Sequence, residues 1–339
     1  MRRRTLVTAL VTLAVAGSGG GRAMAQAPPS EARWFKGNTH THTLNSDGDS
    51  TPEDVARWYR EQGYHFLVLT DHNFVTPVDG LNALIAAADR FLVIPGEEIT
   101  DRAAGKPVHV NALGTSTLVK PQGGERPADA VQRDVDAARA AGAVSQINHP
   151  NFGWALTGSD MLQASSAQLL EVFNGHPQVN NLGGADAPGA EALWDHLLSA
   201  GRQVFAVASD DLHDLKRPGN RLAAGPGRGW VLVRAPRLTA ADILAALARG
   251  DFYATTGIEL KDVQATGRAV SISIRPRGDT RYRTWFIGRG GRVLKEVEGP
   301  EASYDFAGDE EYVRATITDS NGFAAWVQPT RPADARKAP

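Results

Sequence analysis

The chain has 339 residues, of which 42% are hydrophobic and 22% charged, a balance typical of a globular protein rather than a disordered or fibrous one. Its formal net charge is −2, and lysines and arginines form no cluster beyond the N-terminal region, which excludes a role in coating nucleic acid. No cysteine is present, so disulfides cannot stabilise the fold and any metal site must use nitrogen and oxygen ligands.

Residues 1–25 have the pattern of an export signal. A basic start at Arg2 to Arg4 precedes a short apolar run at Leu6 to Ala16 and a small-residue cleavage site at Ala23 to Ala25. The apolar run is too short to span a bilayer. Cleavage would remove four arginines, change the net charge from −2 to −6, and leave no membrane anchor. We expect a periplasmic or secreted protein, exported by the ordinary secretion route or by the twin-arginine route.

After a linker at residues 26–33, short apolar segments alternate with amphipathic ones up to residue 257. The predicted strands are Tyr64–Asp71, Phe91–Glu98, Val108–Leu113, Ala143–His149, Leu169–Asn174 and Val204–Asp210. The predicted helices are Thr51–Gln62, Asp79–Ala88, Arg126–Ala141, Glu191–Ala200 and Thr239–Arg249. The alternation favours an α/β domain at residues 34–257, either a wound parallel sheet or, given about seven strands, a distorted (β/α)7 TIM-like barrel.

The pattern changes after residue 257. Val263–Ile274, Tyr282–Gly288, Arg292–Val297 and Tyr312–Thr318 alternate apolar with polar residues and are separated by Gly, Asp or Pro turns. This predicts a small all-β, sandwich-like domain at residues 258–332, followed by a disordered tail at residues 333–339.

Two histidines open the part of the chain that carries chemistry. His40 and His42 are two residues apart, so on an extended strand both imidazoles leave the same face and can converge on one ion. Asp47 follows in a Ser-Asp-Gly turn, from which its carboxylate can reach a second ion. An isolated His-x-His pair is more often without metal, so the case depends on the rest of the chain.

Further histidines and carboxylates lie where predicted strands end, at the face of a parallel barrel that usually carries the chemistry. The candidates are His72 with Asp71, Glu98 with Glu97, His109, His149, and Asp211 with His213. Strand alternation favours Glu98 over Glu97 as the inward-facing acid. His65 and His196 have no supporting pattern and are assigned to structure.

This ordered set resembles the PHP (polymerase and histidinol phosphatase) superfamily of metal-dependent phosphoesterases over residues 34–257. The motifs that carry the resemblance are His40-x-His42 with Ser46-Asp47-Gly48, Thr70-Asp71-His72, Pro95-Gly-x-Glu98, His109, His149 and Asp211-x-His213. The resemblance implies two or three divalent ions. One ion would bind His40, His42, Glu98 and Asp211; a second would bind Glu98, His109 and His149; a third would bind Asp47, His72 and His213.

Two further segments resemble the carbaryl-hydrolase-type (CehA/McbA) branch, in which a barrel precedes a β-rich domain. They are Phe252–Gly257 and Asn321–Pro329.

Imidazole and carboxylate ligands suit zinc, manganese or iron. Divalent ions a few ångströms apart ionise a metal-bridging water, so no covalent nucleophile is needed. We therefore expect hydrolysis of small phosphate esters, with carbamate or carboxylic ester hydrolysis and a non-catalytic module that binds metal or phosphorylated ligands as alternatives. Neither the substrate nor the oligomeric state follows from the sequence.

Polar and aromatic side chains near the same rim could contact a substrate. Asn174, His176 and Arg217 are the candidates, with Arg221 and Arg228 in the same loop as Arg217, although solvation is the commoner role of a loop arginine. Phe152 and Trp154 could form an apolar wall, or pack against a neighbouring loop.

Overall fold

A computed structural model describes residues 32–87, 90–217 and 219–332 of the chain. The predicted export signal at residues 1–25, most of the predicted linker at 26–33 and the predicted tail at 333–339 lie outside these residues. None of the helices in the described part is long and apolar enough to cross a bilayer.

Local sequence explains where the helices of the described residues begin. The Thr51 hydroxyl accepts a hydrogen bond from the backbone N of Asp54 at 3.2 Å, and Pro52 occupies the first helical position of the first helix. The helix bounds are Pro52–Glu61 (α1), Asp79–Ile85 (α2), Pro127–Ala140 (α3), Gly158–Gln163 (α4), Ala190–Ser199 (α5) and Ala240–Arg249 (α6).

The strands of the first half, up to the last predicted ligand, are Arg33–Asn38 (β1), Phe66–Val68 (β2), Leu92–Ile94 (β3), Gly96–Ala103 (β4), Lys106–Leu113 (β5), Val144–Ile147 (β6), Leu169–Asn174 (β7) and Phe205–Ser209 (β8). The later strands are Trp230–Ala235 (β9), Phe252–Thr255 (β10), Leu260–Ala265 (β11), Ala269–Ile274 (β12), Tyr282–Gly288 (β13), Arg292–Glu298 (β14), Glu301–Asp305 (β15), Val313–Asp319 (β16) and Ala324–Thr330 (β17).

These strands form three sheets, and the prediction of a mixed α/β chain is confirmed. One sheet has nine strands in the order β14-β13-β16-β17-β10-β9-β1-β2-β3, another has five in the order β4-β5-β6-β7-β8, and the last has the order β11-β12-β15. The structure does not show the predicted (β/α)7 barrel. The sheets are open, and β1 pairs with β9, and β5 with both β4 and β6, in antiparallel fashion.

A tight turn explains part of this difference. The residues that join β4 to β5, Ala104 and Gly105, both have positive φ, at 47° and 78°. Two consecutive residues in this conformation form the hairpin turn whose twist matches that of antiparallel strands. The chain therefore reverses directly between these strands, and β4 and β5 pair antiparallel along their whole length, which a parallel barrel does not allow.

The nine-stranded sheet crosses the domain boundary predicted between residues 257 and 258. Strand β10, on one side of that boundary, pairs with β17 on the other, with Ala254 opposite Trp326. An apolar core that includes Tyr253, Ile272 and Phe286 contains buried residues from this sheet and from the three-stranded one. The division into domains at this position stays a prediction.

The nine-stranded and five-stranded sheets meet at a seam beyond the carboxyl ends of β1, β2 and β8. Thr41, just after β1, forms an isolated parallel bridge with Leu212, just after β8. His72, after β2, forms a second bridge with Glu98 in β4. Because both bridges involve or adjoin predicted ligands, the seam determines where these side chains meet.

Candidate metal centre

The structure brings all nine predicted ligands into one cluster at the seam. In each of four overlapping groups, one donor atom per residue lies within 4.8 Å of the donor atoms of the others. The members are His40, His42, Asp47, His72, Glu98, His109, His149, Asp211 and His213.

The deepest part of the cluster contains two histidines and two acids. His40 Nε2 lies 3.3 Å from Glu98 Oε1 and 3.2 Å from Asp211 Oδ1. His42 Nε2 lies 3.4 Å from Glu98 Oε2 and 3.2 Å from Asp211 Oδ1. All four residues are buried. The two imidazoles thus converge from one face of the chain after β1, as their spacing predicts.

Glu98 also faces a second pair of histidines. Its Oε1 atom lies 3.1 Å from His109 Nδ1 and 3.2 Å from His149 Nε2. The rings of His109 and His149 lie edge to face, with centroids 5.0 Å apart. One carboxylate is therefore shared between two sets of imidazoles, which is the arrangement required for two neighbouring ions.

The outermost group surrounds Asp47, whose side chain is 56% exposed. Its Oδ2 lies 3.5 Å from His72 Nε2 and its Oδ1 lies 3.3 Å from His213 Nε2. The ring of His42 lies between these two histidines, with centroids 4.4 Å from His72 and 4.2 Å from His213. This group is the most accessible part of the cluster.

A buried acid fixes the loop that carries Asp47. Asp71 accepts hydrogen bonds from the backbone N of Thr43 at 2.7 Å and from Ser46 Oγ at 2.8 Å, and Thr76 donates to its other oxygen. Asp71 thus holds the loop against the end of β2. With the Thr43 hydroxyl, four hydroxyl and amide donors surround its carboxylate, which makes Asp71 a supporting residue rather than a ligand.

Two of the predicted ligands have strained backbone. His149 has φ of 21° and Asp211 has φ of 50°, both in the left-handed region that residues other than glycine seldom adopt. The backbone N of His149 donates to Glu171 Oε2 at 2.7 Å, and that of Asp211 donates to the His40 carbonyl at 3.1 Å. Such strain persists where surrounding bonds hold it and is typical of functional sites.

The charges of the cluster favour a cation. Burial by itself would lower the pKa of His40, but the carboxylates of Asp211, Glu171 and Glu98 outweigh it and hold that pKa well above its usual range. Burial would likewise raise the pKa of Glu98 and Asp211, but neighbouring imidazoles hold both pKa values well below their usual range. Positive charge is therefore stabilised at the centre of this site.

The outer histidines respond to their acids in the same way. Although burial opposes it, Glu98 and Asp47 raise the pKa of His72 to about 10, and Asp47 and Asp211 raise that of His213 to about 9. His42 differs, because burial, only partly offset by Asp211, lowers its pKa to about 4. His42 therefore offers a neutral imidazole, the form that binds metals.

Two observations show whether these residues could bind a metal ion: which ligand atoms lack a hydrogen-bond partner, and how far apart the ligand atoms are. The Nε2 atoms of His40 and His42 are buried and have no hydrogen-bond partner among the described residues. A tetrahedral ion with bonds of about 2.0–2.1 Å separates neighbouring ligand atoms by roughly 3.3 Å. The separations of 3.2–3.4 Å from these atoms to Glu98 and Asp211 match that value, so the residues fit a divalent cation.

Sequence reasoning missed one important residue, Glu171 on β7. His40 Nδ1 donates to its Oε1 atom at 2.7 Å, and Asn174 Nδ2 donates to its Oε2 atom at 2.9 Å. Ser209 Oγ and Gln146 Nε2 donate to Oε1 as well. The sequence did contain a signal for its role: Glu171 is an acid within the apolar strand Leu169–Asn174, and a buried charge requires partners.

The three predicted substrate contacts occupy different places. Asn174 is buried and donates to Asp211 Oδ2 at 3.1 Å. His176 lines the cavity, with its ring centroid 5.4 Å from that of His213. Arg217 does not line it, because its guanidinium pairs with Asp214 on an exposed loop.

Of the other residues singled out in the sequence, some line the cavity and some do not. Arg228 Nη1 donates to the Gly175 carbonyl at 2.7 Å and so joins two loops, outside the cavity lining. Glu97 faces away, and its Oε2 accepts a hydrogen bond from the backbone N of Val119 at 2.9 Å. Phe152 does line the cavity, with its ring 5.3 Å from that of His149.

The cavity that these described residues enclose has a volume of about 210 Å³. Its lining consists of Asp47, His72, Glu98, His109, His149, Phe152, His176, Gln178, Asp211 and His213. None of these side chains carries a hydroxyl, thiol or amine that could attack a substrate, and none is an arginine or lysine. The lining therefore offers no hydroxyl, thiol or amine nucleophile, and its only cationic groups are imidazoles.

No protein-family model and no curated protein matches the chain. Among solved structures, it is similar to a two-domain protein containing a predicted PHP-like metal-dependent phosphoesterase from Bacteroides vulgatus. The identity is 17%, the TM-score is 0.50, and the match covers 89% of this chain and 97% of that chain. At this identity, the similarity shows a shared fold.

Two further solved structures are similar over about half of the chain. A candidate metal-dependent phosphoesterase from Bifidobacterium adolescentis has 16% identity and a TM-score of 0.39, over 55% of this chain and 92% of that chain. An amidohydrolase from Chromobacterium violaceum, with bound sulfate and no metal, has 19% identity and a TM-score of 0.38, over 53% of this chain and 88% of that chain. Similarities of this size support no conclusion about the chain.

Proposed function

We propose that this protein is a metal-dependent hydrolase of small phosphate esters and a member of the PHP superfamily. The observation that carries the proposal is the shared carboxylate of Glu98, whose oxygens lie within 3.4 Å of ring nitrogens of His40, His42, His109 and His149. The shared fold of the Bacteroides protein, named for a PHP-like phosphoesterase, supports it.

Three sets of residues would hold the ions. The resemblance assigns an inner set of His40, His42, Glu98 and Asp211, a second of Glu98, His109 and His149, and an outer of Asp47, His72 and His213; the overlapping groups in the structure have the same nine members. Zinc, manganese and iron all suit such nitrogen and oxygen ligands. When bound, divalent ions would lower the pKa of a bound water toward 7 and neutralise phosphate oxygens.

The protein's own residues would position the substrate and exclude water. Phe152 closes one side of the cavity, and His176 and Gln178 line it without being members of the ligand sets. Burial lowers the pKa of His176, so its ring is neutral near pH 7 and can either accept or donate a hydrogen bond. His176 is therefore the best-placed residue to orient a substrate oxygen.

Metal analysis combined with a substrate panel tests this function. Purified protein should contain divalent metal and hydrolyse nitrophenyl phosphate or bis-nitrophenyl phosphate, and His149→Ala should abolish turnover while thermal unfolding stays cooperative. Metal-loaded protein that hydrolyses no phosphate ester would overturn the proposal.

Hydrolysis of an aryl carbamate or carboxylic ester is a second candidate, in line with the CehA/McbA branch. The aromatic wall of Phe152, next to His149 and His176, favours it because an aryl group can pack against that ring. Relative kcat/KM on naphthyl methylcarbamate and naphthyl phosphate decides between the two. A higher value for the carbamate would select this candidate.

We also propose that the protein acts outside the cytoplasm. The basic start, short apolar run and small-residue cleavage site in residues 1–25 support export. N-terminal sequencing of protein recovered from the periplasm or medium should give a start near Gln26. Uncleaved protein in the cytoplasm would contradict export without affecting the proposed chemistry.

A further inference from the structure

The cavity is small for a complete substrate. Its volume is about 210 Å³, whereas pockets that enclose small molecules usually measure roughly 300–1,000 Å³. Its lining is polar except for Phe152. A phosphate group fits such a space, but the rest of an ester larger than a few atoms must lie outside, against the rim.

The loops around the cavity expose apolar side chains. Five loops each place at least one side chain in the cavity wall, and each also exposes one large apolar side chain. These five side chains, here called the apolar rim, are Leu44, Phe74, Trp154, Leu182 and Leu222. Their exposed fractions range from 41% for Trp154 to 98% for Leu182. Only four other large apolar residues in the described part of the chain are comparably exposed.

The same loops carry the cavity residues close by in sequence. Leu44 precedes Asp47, Phe74 follows His72, Trp154 follows Phe152, Leu182 follows His176 and Gln178, and Leu222 follows His213. Isolated exposed apolar residues are normal on protein surfaces. One on every loop around a single cavity is a pattern that marks a binding surface.

Contacts between the loops make the rim continuous on the side of β1. Asn45 Nδ2, in the loop of Leu44, donates to Thr76 Oγ1, in the loop of Phe74, at 2.8 Å. The backbone N of Asp49 donates to the carbonyl of His213, at the start of the loop of Leu222, at 2.8 Å. These bonds join three of the five loops.

The remaining loops are joined in the same way. Arg228 Nη1 donates to the Gly175 carbonyl at 2.7 Å, which links the loops of Leu222 and Leu182. Asn151 Nδ2 donates to the Asn180 carbonyl at 3.0 Å, which links the loops of Leu182 and Trp154. Trp154 also packs over Gly184, where an added Cβ would lie 3.0 Å from its ring. The five loops therefore form one arc around the cavity.

We infer that the natural substrates are phosphate monoesters of an extended apolar alcohol, with the phosphate in the cavity and the apolar group on the rim. This inference rests on the proposed function and names its substrate class. An apolar group on the rim would cover side chains that water now contacts, and its burial would favour binding in proportion to the area removed from water.

A homologous series of straight-chain alkyl phosphates, from ethyl to octyl, tests the inference below the micelle concentration. Purified metal-loaded protein should show kcat/KM rising by roughly two- to fourfold for each methylene that reaches the rim. Binding of methylphosphonate and octylphosphonate, followed by calorimetry, gives a readout independent of turnover. The octyl compound should bind more tightly and with a more negative heat-capacity change.

Rim variants test whether these side chains cause the gradient. Phe74→Ser and Trp154→Ser should each flatten the dependence of kcat/KM on chain length. Leu84→Ser and Val293→Ser, which change exposed apolar residues away from the rim, should leave it unchanged. If either rim variant fails to unfold cooperatively, Leu44→Ser replaces it.

The outcomes separate the two proposals. Hydrolysis of ethyl phosphate without a gradient, or a gradient that all rim variants retain, would overturn the apolar substrate and leave the phosphoesterase function standing. No hydrolysis of any member, with metal bound, would overturn both. A gradient that the rim variants lose and the matched controls keep supports the inference.

Discussion

The Nδ1 atom of His40 lies 2.7 Å from the Oε1 atom of Glu171, and both side chains are completely buried. Because the carboxylate accepts the Nδ1 proton, the neutral His40 that binds a metal has its lone pair on Nε2, which faces Glu98 and Asp211. Glu171 thus determines which tautomer His40 presents to an ion.

We expect Glu171→Gln to weaken metal binding by about 10- to 100-fold. Glu171 accepts hydrogen bonds at both oxygens, from His40 and Ser209 at Oε1 and from the His149 backbone at Oε2. A glutamine amide accepts at one atom only, so either His40 or His149 loses its acceptor. Competition with a chelator of known affinity measures the change, and unaltered affinity in a folded variant would show that Glu171 is merely structural.

Glu97 and Glu98, which are adjacent on β4, provide a matched pair of variants that tests which acid is a ligand. Glu98→Gln should lower metal content by at least one ion and reduce turnover about 100-fold or more, because Glu98 faces five histidines of the cluster. Glu97→Gln should keep the metal content, since Glu97 faces Val119. Metal analysis after dialysis measures both. Equal losses in the two variants would contradict the assignment.

The parts of the site that follow from strand periodicity could be predicted. His40 and His42 share a face, and Glu98 rather than Glu97 faces inward, because side chains alternate along an extended chain. The role of Glu171 could not be predicted in this way. Periodicity places a side chain on a face but does not say that β7 lies beneath His40, a contact that spans 131 positions of the chain.

The fold, too, could be predicted only in part. The helices α1, α3, α5 and α6 lie within one residue or so of their predicted bounds, since proline and threonine caps and terminal glycines are local signals. Strand β9 was missed because it follows a loop rich in glycine and arginine. Its antiparallel pairing with β1 depends on long-range packing, and this pairing replaces the expected barrel closure.

Asp134 on α3 should make stability depend on pH. Burial, together with the nearby Asp101, raises its pKa from 3.8 to about 7. The native state therefore binds one more proton than the unfolded state between about pH 4 and 7, so stability falls as the pH rises through this range and levels off above it. The total effect is on the order of 1–4 kcal/mol.

Asp134→Asn should remove this dependence and stabilise the protein at pH 8. The amide oxygen can still accept from the backbone N of Gln122, as the carboxylate does at 2.8 Å. Denaturant unfolding at intervals from pH 4 to 8 gives the free energy of unfolding of both proteins. Contributions from other titrating groups cancel in the difference between the two free energies. A difference that stays constant across this range would show that Asp134 is ionised throughout.

Arg314 on β16 should be essential for joining the C-terminal strands to α5. Its guanidinium is buried and donates to both oxygens of Asp195, at 2.7 and 2.6 Å, and to Glu191 at 2.7 Å, over the ring of Trp194. Arg314→Met would leave two acids without their partner, at a cost of about 3–5 kcal/mol in the free energy of unfolding.

Arg283→Met on the neighbouring strand β13 is the matched control, because Arg283 pairs with Glu298 at 2.9 Å on the exposed surface. Breaking an exposed pair of this kind costs about 0–1 kcal/mol. Urea unfolding of both variants measures the two costs. If Arg314→Met were no more destabilising than Arg283→Met, the buried ion pairs would not hold β16 to α5. The apolar core that includes Phe286 would then have to supply that stability alone, and Phe286→Ala would become the more damaging change.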